Sequence, residues 1–172
     1  MAWTSTNVAD YVITDPQRIG WQPLNETSTV RNHALGERVR AVHPTYGPIE
    51  AIYLQGVAST VIGDWVSYEA DAYLTTRLVA NAIGAVGVAL SDNVASQYGW
   101  YAIYGRVPAK VLADFADNGH LYGTATAGSA DDAIVAGDRI QNARGASAID
   151  GPATGMAEVE LYYPFVNDGL AD

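Results

Sequence analysis

The stretch Glu158-Val159-Glu160-Leu161-Tyr162-Tyr163-Pro164-Phe165 alternates with a period of two, as a strand with one dry and one wet side does. Val159, Leu161, Tyr163 and Phe165 fall on one face and both glutamates on the other, and Pro164 is expected to set the strand's end at a sheet edge. The same texture runs backward from it. From Ala41 onward, short segments rich in Val, Ile, Tyr and Trp are separated by Gly, Asn and Asp, with strands expected near 48–58, 63–70, 73–80, 85–90, 98–112, 120–127, 133–142 and 155–166. The fold class that follows is mainly β: a compact antiparallel β-sandwich or barrel-like domain with little helix. Ser91-Asp92 are placed to cap a short helix over 93–97, and Pro108 to Asn118 reads as strand and then loop.

Within this pattern Tyr98-Gly99-Trp100-Tyr101-Ala102-Ile103-Tyr104-Gly105 stands apart, because both alternating sets of side chains are apolar or aromatic. Both faces need cover. Either the body supplies it, or Tyr98, Trp100, Tyr101 and Tyr104 form a subunit interface.

Residues 1–36 carry Trp3, Tyr11, Ile13, Ile19, Trp21 and Leu24 without sustained periodicity, and read as an extended N-terminal arm to a β-rich body over residues 37–172. A disordered tail rarely keeps two tryptophans, so the arm is expected to dock on the body or on a neighbouring subunit.

The chain of 172 residues is 49% hydrophobic and only 16% charged, too apolar for intrinsic disorder. Without Cys it has no disulfide, no thiol nucleophile and no thiolate metal site. Its formal charge of −10 disfavours nucleic acid. The charge is uneven: residues 1–45 hold four acids and four arginines, and the remainder carries fifteen acids against five bases. The longest apolar stretch, near Leu74 to Leu90, is interrupted by Arg77, Asn81, Gly84 and Gly87, which excludes a membrane helix of about 20 apolar residues. The start, Met1-Ala2-Trp3-Thr4-Ser5, lacks the basic and apolar regions of a secretory signal.

Reactive constellations are scarce. His33, His43 and His120 read as solvated or capping residues, with no base-and-orienter pattern around them. Ser91-Asp92-Asn93 has no Ser-x-x-Lys to accompany it, Lys110 being the only lysine. The carboxylate pairs Asp131/Asp132, Asp114/Asp117 and Glu158/Glu160 read as an anionic surface before a glycosidase pair. Asp114 to Gly119 lacks the alternating ligands of a calcium loop, and no phosphate-cradling glycine motif occurs. No catalytic residue, metal site or cofactor is expected. Binding and assembly remain.

One resemblance points the same way. Gly47-Pro48-Ile49-Glu50-Ala51-Ile52-Tyr53-Leu54-Gln55-Gly56-Val57-Ala58-Ser59-Thr60, followed by Gly63-Asp64-Trp65-Val66-Ser67-Tyr68, resembles the capsid decoration (cement) proteins of tailed bacteriophages. So do Val86 to Leu90, Val94 to Tyr101, Leu121 to Gly128 and Ala136 to Ile140, in that order, a coverage from about Gly36 to Phe165. The resemblance implies a structural, non-catalytic virion protein on the outer surface of the expanded head. It would be made in the host bacterial cytoplasm, act as a homotrimer, and clamp neighbouring capsomers of the major capsid protein to stabilise the capsid. The residues themselves suggest how: three arms, each placing Trp3, Tyr11, Ile13, Arg18 or Trp21 between shell subunits, while the acidic body faces solvent. The alternative is a carbohydrate-binding or glycan-processing β-domain, motivated by the Trp, Tyr and acidic residues.

Overall fold

The computed structural model describes residues 2–18 and 20–167; Ile19 of the expected arm and the last five residues of the expected body lie outside them. The chain is 45% strand and 3% helix, in one antiparallel sheet of many strands that is not closed into a barrel. Among the described residues a short helix, α1 (Ser5–Ala9), is followed by β1 (Val12–Ile13), β2 (Arg38–His43), β3 (Gly47–Gln55), β4 (Trp65–Tyr68), β5 (Thr75–Arg77) and β6 (Ile83–Ala89). Then come β7 (Tyr98–Lys110), β8 (His120–Gly123), β9 (Ala130–Asp131), β10 (Arg139–Gly145) and β11 (Met156–Asn167). The spatial order is β1-β2-β3-β7-β6-β11-β10-β8-β9, with β4 on β6 and β5 on β4.

The centre of the sheet is a three-strand junction. β7 and β11 are antiparallel, and β6 is antiparallel to both. Three straight strands in one plane cannot meet all three conditions, so the chain must bend there. The breaks in register mark where. Tyr163 (φ +56°) and Asn142 (φ +59°) face each other in the β10–β11 bulge, and the β3–β7 register slips by one residue between Glu50 and Ala51. Beside that slip Gly105 has φ +95°, and a Cβ there would strike the backbone of Pro48 and Ile49.

The bulge also corrects the reading of β11. Ala157, Val159 and Leu161 are buried as the alternation demands, but the faces exchange at the bulge, where residues 162–164 of β11 stand opposite Asn142 alone. Tyr163 and Phe165 point outward, Pro164 and Val166 inward. Pro164 therefore occupies a bulge in a central strand, where its missing N–H is tolerated, and not a sheet edge.

β3 and β7 separate two packed clusters. Ile49, Ala51, Tyr53, Trp100 and Ala102 belong to the larger, with Trp65, Val86, Val88, Leu121, Ile140, Val159 and Leu161. Ile52, Leu54, Tyr101 and Ile103 face the smaller, with Val66 and Ala89. The doubly apolar β7 is thus covered on both sides by its own chain.

Strand positions hold for β3, β4, β6, β7 and β11. The expected strand over 133–142 begins only at Arg139, because its ladder is fixed by β11; Ile134, in the apolar run before it, is 82% exposed on a loop. No helix forms over 93–97, where Asn93 is instead buried in an isolated bridge to Thr60. β2, with Val39, Ala41 and His43 alternately inward, lies just inside the expected body in a stretch where no strand is expected.

Candidate interaction face

The arm residues lie on their own body. Helix α1 starts at Thr4, whose N–H donates to Asn7 Oδ1 at 2.9 Å, and it presents the fully buried Val8. Trp3 sits edge-on to Tyr46 at 5.3 Å, Tyr11 lies 4.6 Å from the His43 ring, and the Tyr11 hydroxyl donates to Arg106 O at 3.2 Å. Ile13 pairs with Ala41 across β1 and β2. Trp21 stacks on His33 at 4.4 Å, with the Arg18 guanidinium 4.7 Å from its ring centre. Arg18 also pairs with Asp15 at 3.1 Å and Glu37 at 3.2 Å. Trp3, Tyr11, Ile13, Arg18 and Trp21 thus grip this chain, correcting the picture of a reaching arm. Burying them in cis avoids the translational and rotational cost of a second molecule.

The expected subunit interface shrinks for a similar reason. Trp100 and Tyr101 are fully buried in their own chain, Trp100 donating through Nε1 to Gln22 O at 2.9 Å. Tyr98 is half-buried and stacked on Tyr53. Only Tyr104, 39% exposed beyond the register slip, points well out.

Around Tyr104 the surface changes character. Tyr162, its cross-strand partner, lies 5.8 Å away edge-on, and Tyr163, turned out by the bulge, lies 5.4 Å away. Four of the chain's eight arginines ring this trio. The Arg38 guanidinium is 5.6 Å from the Tyr163 ring and reaches Glu50 at 3.4 Å; Arg40 is 3.9 Å from the same carboxylate. Tyr163 donates to Glu50 Oε2 at 3.1 Å. On the other side Arg106 pairs with Glu158 at 3.2 Å, and Arg144 grips Glu160 through Nε at 2.7 Å and Nη2 at 2.6 Å. The Arg144 hydrogen bond holds the Glu160 carboxyl below its usual range, and Glu160 in turn raises the Tyr162 hydroxyl, which donates to it at 3.0 Å. A groove of about 430 Å³ lies between Tyr104, Tyr163, Pro48 and Val42, and a second of about 520 Å³ runs between Arg38, Arg40 and residues 14–18. Exposed Tyr and Arg are the side chains that carry most binding energy at protein interfaces.

Of the side chains that make this face, the sequence singles out Tyr104 as an interface residue and Glu158 and Glu160 as an acidic pair, but nothing in it brings Tyr162, Tyr163 and the four arginines to them. The bulge that turns Tyr163 outward has no local signal beyond Pro164.

The remaining polar groups are held by structural partners. His43 is buried and caps a turn, its Nδ1 accepting from Thr45 and Tyr46 N–H, so the capping expectation holds there. His33 accepts Gln22 N–H at Nε2, inside an aromatic stack instead of in solvent, and burial lowers the pKa of both rings. His120 lies 3.2 Å from Arg139 on the surface. Asp132 accepts Ala116 N–H, and Asp131 accepts Asp132 N–H. Asp64, not singled out from sequence, is fully buried between Arg77 at 2.9 Å and Lys110 at 2.7 Å, tying β4, β5 and β7 together. Among the described residues no three His, Asp or Glu side chains gather as metal ligands, and no helix is long and apolar enough to cross a membrane.

No family model matches the chain, and no curated protein is significantly similar to it in sequence.

Proposed function

We propose that this chain is a structural virion protein that binds the outer surface of the expanded phage head as a trimer and cements neighbouring capsomers. The observation that carries the reading is the outward trio Tyr104, Tyr162 and Tyr163 ringed by Arg38, Arg40, Arg106 and Arg144, on a molecule of net charge −10. The resemblance of Gly47 to Tyr68 and of the later segments supports the same class.

Attachment works through this face, with the N-terminal segment as part of its wall. A face that concentrates arginine suits the acidic or polar exterior of a protein shell, and its tyrosines bury much area for little lost side-chain freedom. The acidic remainder faces solvent and keeps decorated heads apart. Three faces on one trimer bind in series, the second and third at high effective concentration, which raises avidity by about 10² to 10⁴ without any exceptional single contact. The protein then acts by holding a joint closed, not by catalysis. Its partners are the major capsid protein and copies of itself, with no nucleic acid and no membrane.

Mixing purified protein with undecorated expanded heads tests this: co-sedimentation should saturate at a fixed number of copies per head, in multiples of three. Absence of binding to such shells rejects the reading. The grooves beside Tyr104, with Arg40 and Glu50 in reach of hydroxyl groups, favour a second reading as a carbohydrate-binding domain. Saturable glycan-array binding abolished by Tyr104→Ala would select it.

A further inference from the structure

Strands β1 and β2 separate near Pro16, and their separation leaves part of a sheet edge open. Pro48 has no N–H, so its pairing with Val42 is of the non-hydrogen-bonded kind, and that parity carries along the antiparallel ladder. Arg38, Arg40 and Val42 therefore turn their backbone N–H and C=O groups away from β3. β1 meets them at Val42, opposite Val12, and Thr14 N–H donates to Arg40 O at 3.0 Å. Among the described residues the pairing ends there. The chain swings off in a turn in which Asp15 Oδ1 accepts Gln17 N–H at 3.1 Å and Asp15 O accepts Arg18 N–H at 3.0 Å. The groove of about 520 Å³ lies in this gap, with Asp15, Pro16 and Arg18 along one side and β2 along the other.

We propose that the gap is a docking slot for a short extended segment of a partner protein bearing an acidic side chain, added to the edge of β2 where β1 leaves it. Unpaired strand edges recruit extended peptides through main-chain hydrogen bonds, and side-chain contacts on alternate residues then select the sequence. Here the selecting groups are Arg38 and Arg40, two residues apart on one face and so about 7 Å from each other along the strand. They share the single carboxylate of Glu50, which leaves one positive charge unmatched. The Arg40 side chain is 80% exposed and approaches Glu50 no closer than 3.9 Å, so its guanidinium fork is available to a second carboxylate. Arg18, by contrast, is already held by Asp15 and Glu37. Asp15 and Glu50 in the groove repel a polyanion, so an isolated carboxylate on an apolar strand fits better than phosphate or nucleic acid.

The inference rests on the proposed function only for the identity of the protein that supplies the segment. The test titrates the isotope-labelled full chain with a capped hexapeptide of Val and Thr that carries a single central Glu, followed by NMR. The amide resonances of Arg38 and Arg40 should shift and saturate, and Arg38 amide exchange should slow at least fivefold. A peptide with Lys in place of Glu, and one N-methylated on alternate residues, should each bind at least tenfold more weakly, as should the Arg40→Gln variant. Arg40→Gln alters a solvent-facing side chain, and its spectrum away from β2 reports that the fold is kept. Shifts absent from Arg38 and Arg40, equal binding of the Lys peptide, or saturation of the same amides by inorganic phosphate overturns the proposal. The two readings fail separately: wild-type decoration of heads by an Arg40→Gln variant that still folds removes the slot alone, whereas peptide binding without any binding to heads removes the phage reading alone.

Discussion

The imidazole of His43 stands 4.6 Å from the ring of Tyr11 and joins the N-terminal segment to the body from both of its nitrogens. Nδ1 accepts Thr45 N–H at 3.0 Å and Tyr46 N–H at 3.3 Å, and Nε2 lies 3.2 Å from Asn7 O. Only the neutral ring protonated at Nε2 satisfies all three. At the other end of the seam His33 accepts Gln22 N–H at 3.2 Å between Trp21 and Tyr53.

Acid should therefore loosen this seam. Burial lowers both histidines below 6.5; Glu37 draws His33 back up while Arg18 pushes it down, and the Asn7 carbonyl and Asp10 draw His43 up without reversing its shift. Between the folded and unfolded pKa values the unfolded chain binds more protons, so stability rises with pH there. The contribution is complete above about pH 6.5 and is lost as pH falls through the folded values. The thermal unfolding midpoint should hold steady from about pH 8 to pH 7 and drop on acidification to about pH 5.5, and replacing both histidines by Phe should flatten that drop. A midpoint that rises over the same range contradicts the assignment.

Removing residues 1–36 should destabilise the body instead of freeing it. Trp3, Val8, Tyr11 and Leu24 belong to the main core, and loss of Trp21 and Gln22 uncovers Trp100 and Tyr53. The truncated chain should unfold well below the intact one in a thermal scan and bind a hydrophobic dye. A truncation with an unchanged midpoint restores the arm as an independent element.

How much of this was legible in the sequence depends on the range of the interaction involved. Alternation placed Val159 and Leu161 correctly, because their neighbours along the strand carry the whole signal. It failed at Tyr163, where a bulge fixed by Asn142 on another strand reverses the faces. The two apolar sides of β7 were visible, but whether cover came from the same chain depended on β3, β4 and β6 closing two cores around it. The β texture reads as beginning only at Ala41, because Arg38 and Arg40 alternate with Val39 and Ala41 and hide the inward side of β2. The face around Tyr104 joins residues from β2, β3, β7, β10 and β11, and no local pattern collects them.

Trp100→Ala should cost about 3–5 kcal/mol, the usual penalty for emptying a large buried aromatic site. Trp100 is fully buried and its indole N–H holds Gln22 O, so the loss belongs to the folding of one chain. Urea unfolding measures it. A variant of wild-type stability that changes oligomeric state would return Trp100 to a subunit interface.

Asp64→Asn should cost about 3–5 kcal/mol, because it strands two cations around a buried site. Arg77 and Lys110 converge on that carboxylate, and Gly128, with φ +81°, lies so close that a Cβ would stand 2.7 Å from Asp64 Cγ. Gly128→Ala should therefore destabilise the same region. Chemical denaturation of both variants and of their combination should give less than the sum of the single effects, since both disturb one cluster. Full additivity would show the glycine to be unconnected with the ion pairs.

Tyr104→Ala and Tyr162→Ala should leave the unfolding midpoint near that of the parent, since both side chains are well exposed, while weakening attachment to expanded heads. An interface tyrosine that acts as a hot spot is worth about 2 kcal/mol, or roughly 30-fold in affinity. If three faces of a trimer engage together, the penalties multiply to about 10⁴, turning stable decoration into reversible exchange. Retention on heads after dilution and re-sedimentation separates the outcomes. A loss of only about 30-fold means that a single face carries each contact, and unchanged retention in the double variant places the binding surface elsewhere.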